Sequence, residues 1–380
     1  MIEQHPRIPF GLPLSPLQLL SARRPPSFPF SSRRSSFFYL ARNGIWHGVE
    51  SLGLEPGDQV LMPAYHHGVE IEVLKARQLD LRYYRIDEKL QLDPHEIQSL
   101  VTERTRLLYV IHYLGFPQPM PALMELARRH GLAVFEDCAL SLFSASPEGP
   151  LGTHGDVSIF CLYKSLPTPQ GGVMVLNNPD LAAPSNLRKP GIPSTLGYVA
   201  NRLLDFQSLR GGPLGYGTSR LLRSAARTFK HTSGLTTVPI DTNEFEPEVV
   251  DLGVSSMTHH IIRRIDAQEV VRRRRANFLQ MNRLTGAGVR RVVRELPRGV
   301  CPLSFPILVP DKTRVHDAMM RDGVGTVTFW SIDNPEIPRG RFPDVDFLRS
   351  HLLEVPIHQG LLPRHVEFVA NLLDRHARWV

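Results

Sequence analysis

Hydrophobic and polar positions keep a helical or a strand period over most of this chain, and the period changes where the elements change. From Asn43 the segment IWHGVESLGL reads as a helix, closed by the turn Glu55-Pro56-Gly57-Asp58. There follow a strand at Gln59–Met62, a helix at Gly68–Arg77, a strand at Arg82–Ile86, a helix at Pro94–Val101, a strand at Leu107–His112 and a helix at Pro119–His130. The apolar run Leu132–Phe135 is short and unbroken, bounded by Gly131 and by Glu136 and Asp137, as expected of a strand buried on both faces of a parallel sheet. Val157–Leu162 and Val173–Leu176 read as further apolar strands. Strands alternating with helices imply right-handed parallel crossovers. The pattern therefore predicts an α/β fold, with a three-layer α/β/α large domain over residues 41–250 built on a mainly parallel sheet.

The flanks of that domain read differently. The first forty residues hold seven prolines among many serines and arginines, which excludes a long helix or a central strand. An arm over residues 1–40 is expected, ordered against the surface by Phe28, Phe30, Phe37 and Phe38. Residues 180–250 are dense in glycine and proline (KPGIPSTLGY, LRGGPLGYGTS) and break the rhythm, apart from a basic helix at Ser219–Lys230. They are expected to form an irregular insertion that covers the site or reaches a partner subunit. A long helix from Thr258 to Leu284 leads into a smaller α+β domain over residues 251–380. Its strands are expected near Val289–Glu295, Leu303–Val309 and Gly325–Phe329, and its helices at Thr313–Arg321 and Arg364–Arg378.

Composition narrows the class. With 380 residues, 42% hydrophobic and 21% charged, the chain suits a large domain plus a smaller one. No apolar run reaches the roughly 18 residues of a membrane span, and the N-terminus has no basic and apolar leader, so a cytoplasmic location is expected. Cys138, Cys161 and Cys301 have no CxxC or His-rich spacing, which argues against a disulfide framework and a metal site. The net charge of +7 invites a nucleic-acid reading, but the arginine pairs lack the interleaved aromatics of a reader domain, and no nucleic-acid partner is expected. The run Arg272–Arg275 points around one helix and is expected to form a solvated face or a subunit contact.

Two groups stand at strand ends. Asp137 follows Leu132–Phe135, and Lys164 follows Val157–Leu162 ahead of the turn-rich stretch Ser165–Gly172. The carboxyl ends of strands in an open α/β sheet are where ligands bind. Singly, such a lysine is a solvated residue and such an aspartate a turn former or helix cap. Together they are the pair that pyridoxal phosphate chemistry requires: an amine to form a Schiff base with the aldehyde, and an acid that keeps the pyridine nitrogen protonated. The order FEDCA, the Gly155-Asp156 turn, a phenylalanine-bearing strand, and a lysine seven residues before Gly171-Gly172 resembles the fold-type I pyridoxal phosphate enzymes. Within them it is most similar to the DegT/DnrJ/EryC1/StrS aminotransferases, from about Arg42 to the C-terminus.

The resemblance implies further residues. The family's phosphate turn aligns with Ala41, Arg42, Asn43 and Gly44, where Asn43 would cap the helix and Arg42 would either pair with phosphate or point away. The family's serine ahead of the lysine has two stand-ins, Ser158 and Cys161. In PAYHHGVE, His67 takes the position that stacks on the cofactor ring, unless His66 and His67 simply open a helix. His112 matches a family histidine near the site, with a structural role as the alternative. Leu140 stands where the family often carries a glutamine for the cofactor's phenolic oxygen. The implied activity is transfer of an amino group from an amino acid, glutamate, to a keto-sugar or similar ketone in a biosynthetic pathway, by a homodimer whose sites need both subunits. Decarboxylation, elimination or condensation on the same cofactor, and a non-catalytic pseudoenzyme, are the alternatives.

Overall fold

The structure is a computed structural model that describes residues 7–212, 215, 217–219, 221–224, 245–331 and 334–379. Its strands up to residue 176 are β1 (Ser35–Phe38), β2 (Gln59–Pro63), β3 (Asp80–Tyr84), β4 (Thr105–Ile111), β5 (Ala133–Asp137), the two-residue β6 (Ala145–Ser146) and β7 (Gly149–Pro150), β8 (Val157–Cys161) and β9 (Gly172–Leu176). The helices among and after them are α1 (Pro16–Leu20), α2 (Ala41–Ser51), α3 (Val69–Ala76), α4 (Pro94–Leu100), α5 (Met120–His130), α6 (Leu162–Ser165) and α7 (Ile192–Arg210). Seven strands form one sheet in the order β1-β9-β8-β5-β4-β2-β3. The neighbours from β8 to β3 are parallel, as the alternating pattern predicts. β9 is the exception and runs antiparallel to β8. The ten residues between Cys161 and Gly172 hold only the short α6, which is too little chain for a parallel crossover.

The N-terminal stretch is more structured than its composition suggests. Ser35–Phe38 pairs antiparallel with β9 as an edge strand of the large sheet, a position that tolerates nearby prolines. The phenylalanines order what precedes it: Phe28 meets Phe160 edge-on at 5.7 Å, and Phe30 meets Phe143 at 5.8 Å. Residues further upstream cross the molecule, with Ile8 N–H donating to Gly323 O at 2.8 Å and Gly325 N–H donating to Ile8 O at 2.8 Å.

Three other expectations need correction. The glycine- and proline-rich region is not wholly irregular, since α7 runs through it for 19 residues, started by Pro193 in its first turn. The basic helix expected at 219–230 lies largely outside the described residues. The single helix expected from Thr258 is two, Ser256–Ile262 and Ala267–Leu284, because Asp266 caps the second by accepting from Glu269 N–H at 3.0 Å. Near the C-terminus, β10 (Arg290–Arg291), β11 (Phe305–Leu308) and β12 (Leu352–Val355) form an antiparallel sheet. The strand expected at 325–329 contributes only a bridge from Val327 to Glu354. Among the described residues, no helix is long and apolar enough to cross a membrane.

Glycines set how closely α2 approaches the sheet. A Cβ on Gly44 would come within 2.4 Å of Ile159 Cδ1, and one on Gly48 within 2.6 Å of Phe135 Cε2. These contacts put Phe135 and Ile159 on the face toward α2. Strand alternation then puts Asp137 and Cys161 on that face, and Glu136 and Ser158 on the other. At the sheet edge, a Cβ on Gly172 would lie 2.6 Å from Ala41 Cα and 2.7 Å from Ala41 N, both backbone atoms that cannot rotate away. Gly172→Ala is therefore expected to cost about 1–3 kcal/mol by pushing the first turn of α2 off the sheet. Denaturant midpoints of the variant and parent check this, and equal midpoints would contradict the packing.

Candidate active site

The parallel strands direct their carboxyl ends to one edge of the sheet, and there a cavity of about 500 Å³ opens. Its wall takes His67 and Glu70 from beyond β2, Asp137 and Leu140 from β5 and its exit, and Cys161 and Lys164 from β8 and α6. The start of α2 adds Ala41 and Arg42, and α7 adds Arg202. Segments distant in sequence complete it: Phe10 and Gly11, Val327 to Ser331, and Glu354.

Asp137 is buried and held from two sides. Tyr109 Oη donates to its Oδ2 at 2.7 Å, and Ala139 N–H donates to its Oδ1 at 2.9 Å. Burial pushes its carboxyl upward, while these donors and the charge of Lys164 act the other way. Lys164 lies in α6, directly after β8. The turn after it is tied down at Ser165 O, which accepts from Arg274 Nη2 at 3.2 Å and from Gln359 Nε2 at 3.0 Å. His67 is kept neutral: burial, with Lys164 and Arg42 nearby, lowers its pKa to about 3. Its backbone N–H donates to Glu70 Oε1 at 2.8 Å, so the residue both precedes the helix and lends its ring to the cavity. His66 faces elsewhere and accepts at Nε2 from Asn334 Nδ2 at 3.1 Å.

Four expected site residues are not where the resemblance put them. Asn43 does not cap α2, whose N-cap is Leu40; its Nδ2 donates to Val249 O at 2.7 Å, away from the cavity. Gly44 packs α2 onto Ile159 and does not line the cavity. Ser158 is on the opposite face of β8 from Cys161, beside Glu136, so strand periodicity removes it and leaves Cys161 in the wall. Cys161 itself is a buried thiol whose pKa burial pushes up. His112 spends both ring nitrogens internally: Nε2 meets Glu136 Oε2 at 3.0 Å, and Nδ1 accepts from Gln118 N–H at 3.1 Å. Glu136 also accepts from the N–H groups of Gly152 and His154, so the pair fixes the loop between β5 and β8.

The sequence pattern did not single out Tyr109, Glu70, Arg202, Trp330 or Glu354. Two of these carry a visible signal: Glu70 is a buried acid on the apolar side of α3, and Glu354 is an acid inside the fully buried run LLEV. Burial together with the charge of Asp137 raises Glu70 to about 7. Burial also raises Glu354 to about 7, against Ser304 and the charges of Lys164 and Lys312. Trp330 adopts a φ of 39° and stacks on Phe329 at 4.3 Å, with Tyr65 at 5.3 Å and His67 at 6.3 Å.

The sequence profile of the DegT/DnrJ/EryC1/StrS aminotransferase family matches residues 43–203. Over this stretch the chain is similar to that family. GDP-perosamine synthase of Escherichia coli O157:H7 is 30% identical over 134 residues, which is 34% of this chain and 37% of that protein. The dTDP-3-amino-3,4,6-trideoxy-alpha-D-glucose transaminase of Streptomyces venezuelae is 31% identical over 140 residues, covering 35% and 36%. The chain thus aligns with little more than a third of the length of these curated relatives. The fold extends further than the sequence match: the aminotransferase TlmJ from Streptoalloteichus hindustanus superposes with a TM-score of 0.67 over 97% of this chain and 98% of its own, at 18% identity. A putative sugar aminotransferase from Streptococcus pneumoniae, in its PLP form, gives 0.69 over 97% and 98%, at 12% identity. The family stretch contains His67, Glu70, Asp137, Lys164 and Arg202 and excludes Phe10, Trp330 and Glu354.

Folded Glu70 keeps its proton up to about 7, whereas the unfolded residue releases it from 4.5 upward. The unfolded state then binds fewer protons in that window, so Glu70 lowers stability progressively as pH rises through it. Glu70→Gln is expected to gain on the parent between about pH 5 and pH 8 in urea titrations of the protein with nothing bound. A stability difference independent of pH would contradict the burial of this acid.

Proposed function

We propose that the cavity binds pyridoxal 5′-phosphate and that the chain is an aminotransferase. It moves an amino group from an amino acid, glutamate, to a keto-sugar or similar ketone. The observation that carries this reading is the convergence of Lys164 and a buried, doubly hydrogen-bonded Asp137 on one cavity. The residues fit the group in most respects. Asp137 would face the pyridine nitrogen, since each of its oxygens retains a lone pair beyond its present hydrogen bond. Ala41, in the first turn of α2 where Gly172 lets the helix reach the sheet, suits a phosphate, with Arg42 adding charge. The neutral ring of His67 suits a stacking surface. Leu140 is the misfit, because an apolar side chain offers no hydrogen bond to a phenolic oxygen.

When bound, pyridoxal phosphate supplies an electron sink for charge developing at the donor's α-carbon. The chain's own residues do the rest. The amine of Lys164 anchors the group, and once free it takes the proton from the donor α-carbon and returns it on the other side of the transfer. Asp137, fixed by Tyr109 and Ala139, holds a negative charge against the ring nitrogen. Phe329 and Trp330 keep water from the reacting atoms. The sugar acceptor is supported by the two sugar-modifying relatives above. Leu140 favours a second reading, another reaction on the same cofactor. Conversion of the protein to a stable pyridoxamine form by glutamate would decide for transamination.

We also propose a homodimer. Its support is the large exposure of Leu196, Leu221 and Leu222 at 57%, 72% and 53%, in the region expected to reach a partner. Of the acids expected to meet the partner's arginines, Glu248 is exposed and Glu246 partly so, while Glu244 lies outside the described residues. Light scattering should give about twice the 42.9 kDa of one chain. An active species near the single-chain mass would overturn the dimer.

The cofactor assignment makes its own prediction. The purified protein should carry a yellow chromophore that borohydride reduces onto the Lys164 peptide; Lys164→Ala should lack it. Asp137→Asn should bind the cofactor but turn over at least about 100-fold more slowly, since it removes a buried charge from the reacting ring. A borohydride adduct on Lys75 or Lys189, or a fully active Asp137→Asn, would overturn the assignment.

A further inference from the structure

Glu354 stands in the middle of β12 between Leu353 and Val355, where a carboxyl has no packing role and all three residues are buried. Its backbone is fixed on both sides: Glu354 N–H donates to Val327 O at 2.9 Å, and Val327 N–H donates to Glu354 O at 3.1 Å. The side chain is thereby held in the cavity wall beside the segment that carries Trp330. Its Oε2 is buried without a hydrogen-bond partner. The lysines whose charges act on it form no ion pair with it among the described residues. Lys312 Nζ donates instead to Phe329 O at 2.7 Å and Arg349 O at 2.9 Å, and Lys164 is the amine that the proposed chemistry occupies. An unpaired buried acceptor costs about 1–3 kcal/mol, and more when charged. In a cavity wall, that cost is removed by whatever ligand brings a donor.

We propose, resting on the aminotransferase reading above, that Glu354 is a specificity-determining residue that receives a hydroxyl or ammonium hydrogen-bond donor of the ketone acceptor. An acceptor of this class carries polar substituents around its carbonyl. A bare ketone leaves Oε2 of Glu354 as it is, buried and without a partner, beside the hydroxyl of Ser304. Glu70 is not equivalent, since one of its oxygens already accepts from His67 N–H.

Isothermal titration of the cofactor-loaded protein tests this with three ring ketones: scyllo-inosose, 3-amino-2,3-dideoxy-scyllo-inosose and cyclohexanone. The parent is expected to bind at least one of the two polar probes 10-fold or more tighter than cyclohexanone. Glu354→Leu should lose about 10- to 100-fold of that affinity, the range of a hydrogen bond to a charged group. Glu354→Gln keeps the shape and an acceptor oxygen. It should weaken the hydroxyl probe only several-fold if the partner is a hydroxyl, and weaken the amino probe as much as leucine does if the partner is an ammonium. Retention of the yellow chromophore shows that each variant is folded. If the leucine variant does not fold, unchanged affinities in Glu354→Gln overturn the inference. It is equally overturned if Glu354→Leu binds as the parent does, or if no polar probe binds the parent better than cyclohexanone. Loss of the yellow absorbance on adding glutamate to the parent is followed separately. Failure of that step counts against the aminotransferase reading and leaves the binding result to be judged by itself.

Discussion

The guanidinium of Arg274 is buried to 1% exposure and, among the described residues, forms no ion pair with a carboxylate. Burial lowers its pKa, and a buried charge of this kind persists only if its donors are used. They are: Nε donates to Gln359 Oε1 at 2.7 Å, Nη1 to Leu303 O at 2.7 Å, and Nη2 to Ser165 O at 3.2 Å. Three segments far apart in sequence therefore meet on one rigid fork. One of them is the turn that carries Lys164, so the position of the amine depends on a helix that begins a hundred residues later. Its neighbours in the arginine run are occupied too, with Arg273 on Gln359 O, Arg275 on Pro297 O and Val300 O, and Arg272 on Glu269. Within the run Arg274 is structural, whereas Arg272 keeps its side chain 67% exposed on the solvated face.

That clamp gives the sheet edge a fixed charge pattern. The cavity wall holds three acids, Asp137, Glu70 and Glu354, and three cations, Lys164, Arg42 and Arg202, with His67 neutral between them. Burial works against every acid at once, and the mutual repulsion of Glu70 and Asp137 adds to it. A site in which desolvation is offset by fixed donors, here Tyr109 and two backbone N–H groups, is preorganised for charge that arrives with a ligand. The same low dielectric bears on Glu354, whose Oε2 is buried without a hydrogen-bond partner.

What the sequence revealed followed its periodicities. Asp137 and Lys164 were legible because each ends an apolar run, and a sheet with parallel strands collects such ends on one edge. Of the two stand-ins Ser158 and Cys161, a hydroxyl is the better hydrogen-bond donor, but strand alternation points Ser158 to the opposite face. Asn43 was misjudged because the preference of asparagine for helix caps is local, whereas the donation of its Nδ2 to Val249 O is a contact across 206 residues. The edge strand Ser35–Phe38 was hidden by the prolines before it, which restrict an interior strand but not an edge. Arg274 depends on tertiary contacts to a degree that no local period encodes.

On the reading proposed above, chemistry and selectivity would occupy different parts of this chain. The segment that the aminotransferase family's profile matches, residues 43–203, supplies His67, Asp137 and Lys164 from a sheet edge whose geometry is set by backbone pairing and by glycines that let α2 approach. The wall facing that edge is built from Phe10 and Gly11 in the N-terminal stretch, from residues 327–331 and from Glu354, none of which lies in the matched segment. Backbone pairing constrains the first set tightly, because a one-residue slip would turn Asp137 to the other face. The second set hangs on a few hydrogen bonds, such as those of Ile8 to Gly323 and Gly325 and of Val327 to Glu354. Substitution there costs little scaffold and alters what the cavity touches. A catalytic edge held by the sheet and a recognition wall held by sparse contacts can diverge at different rates.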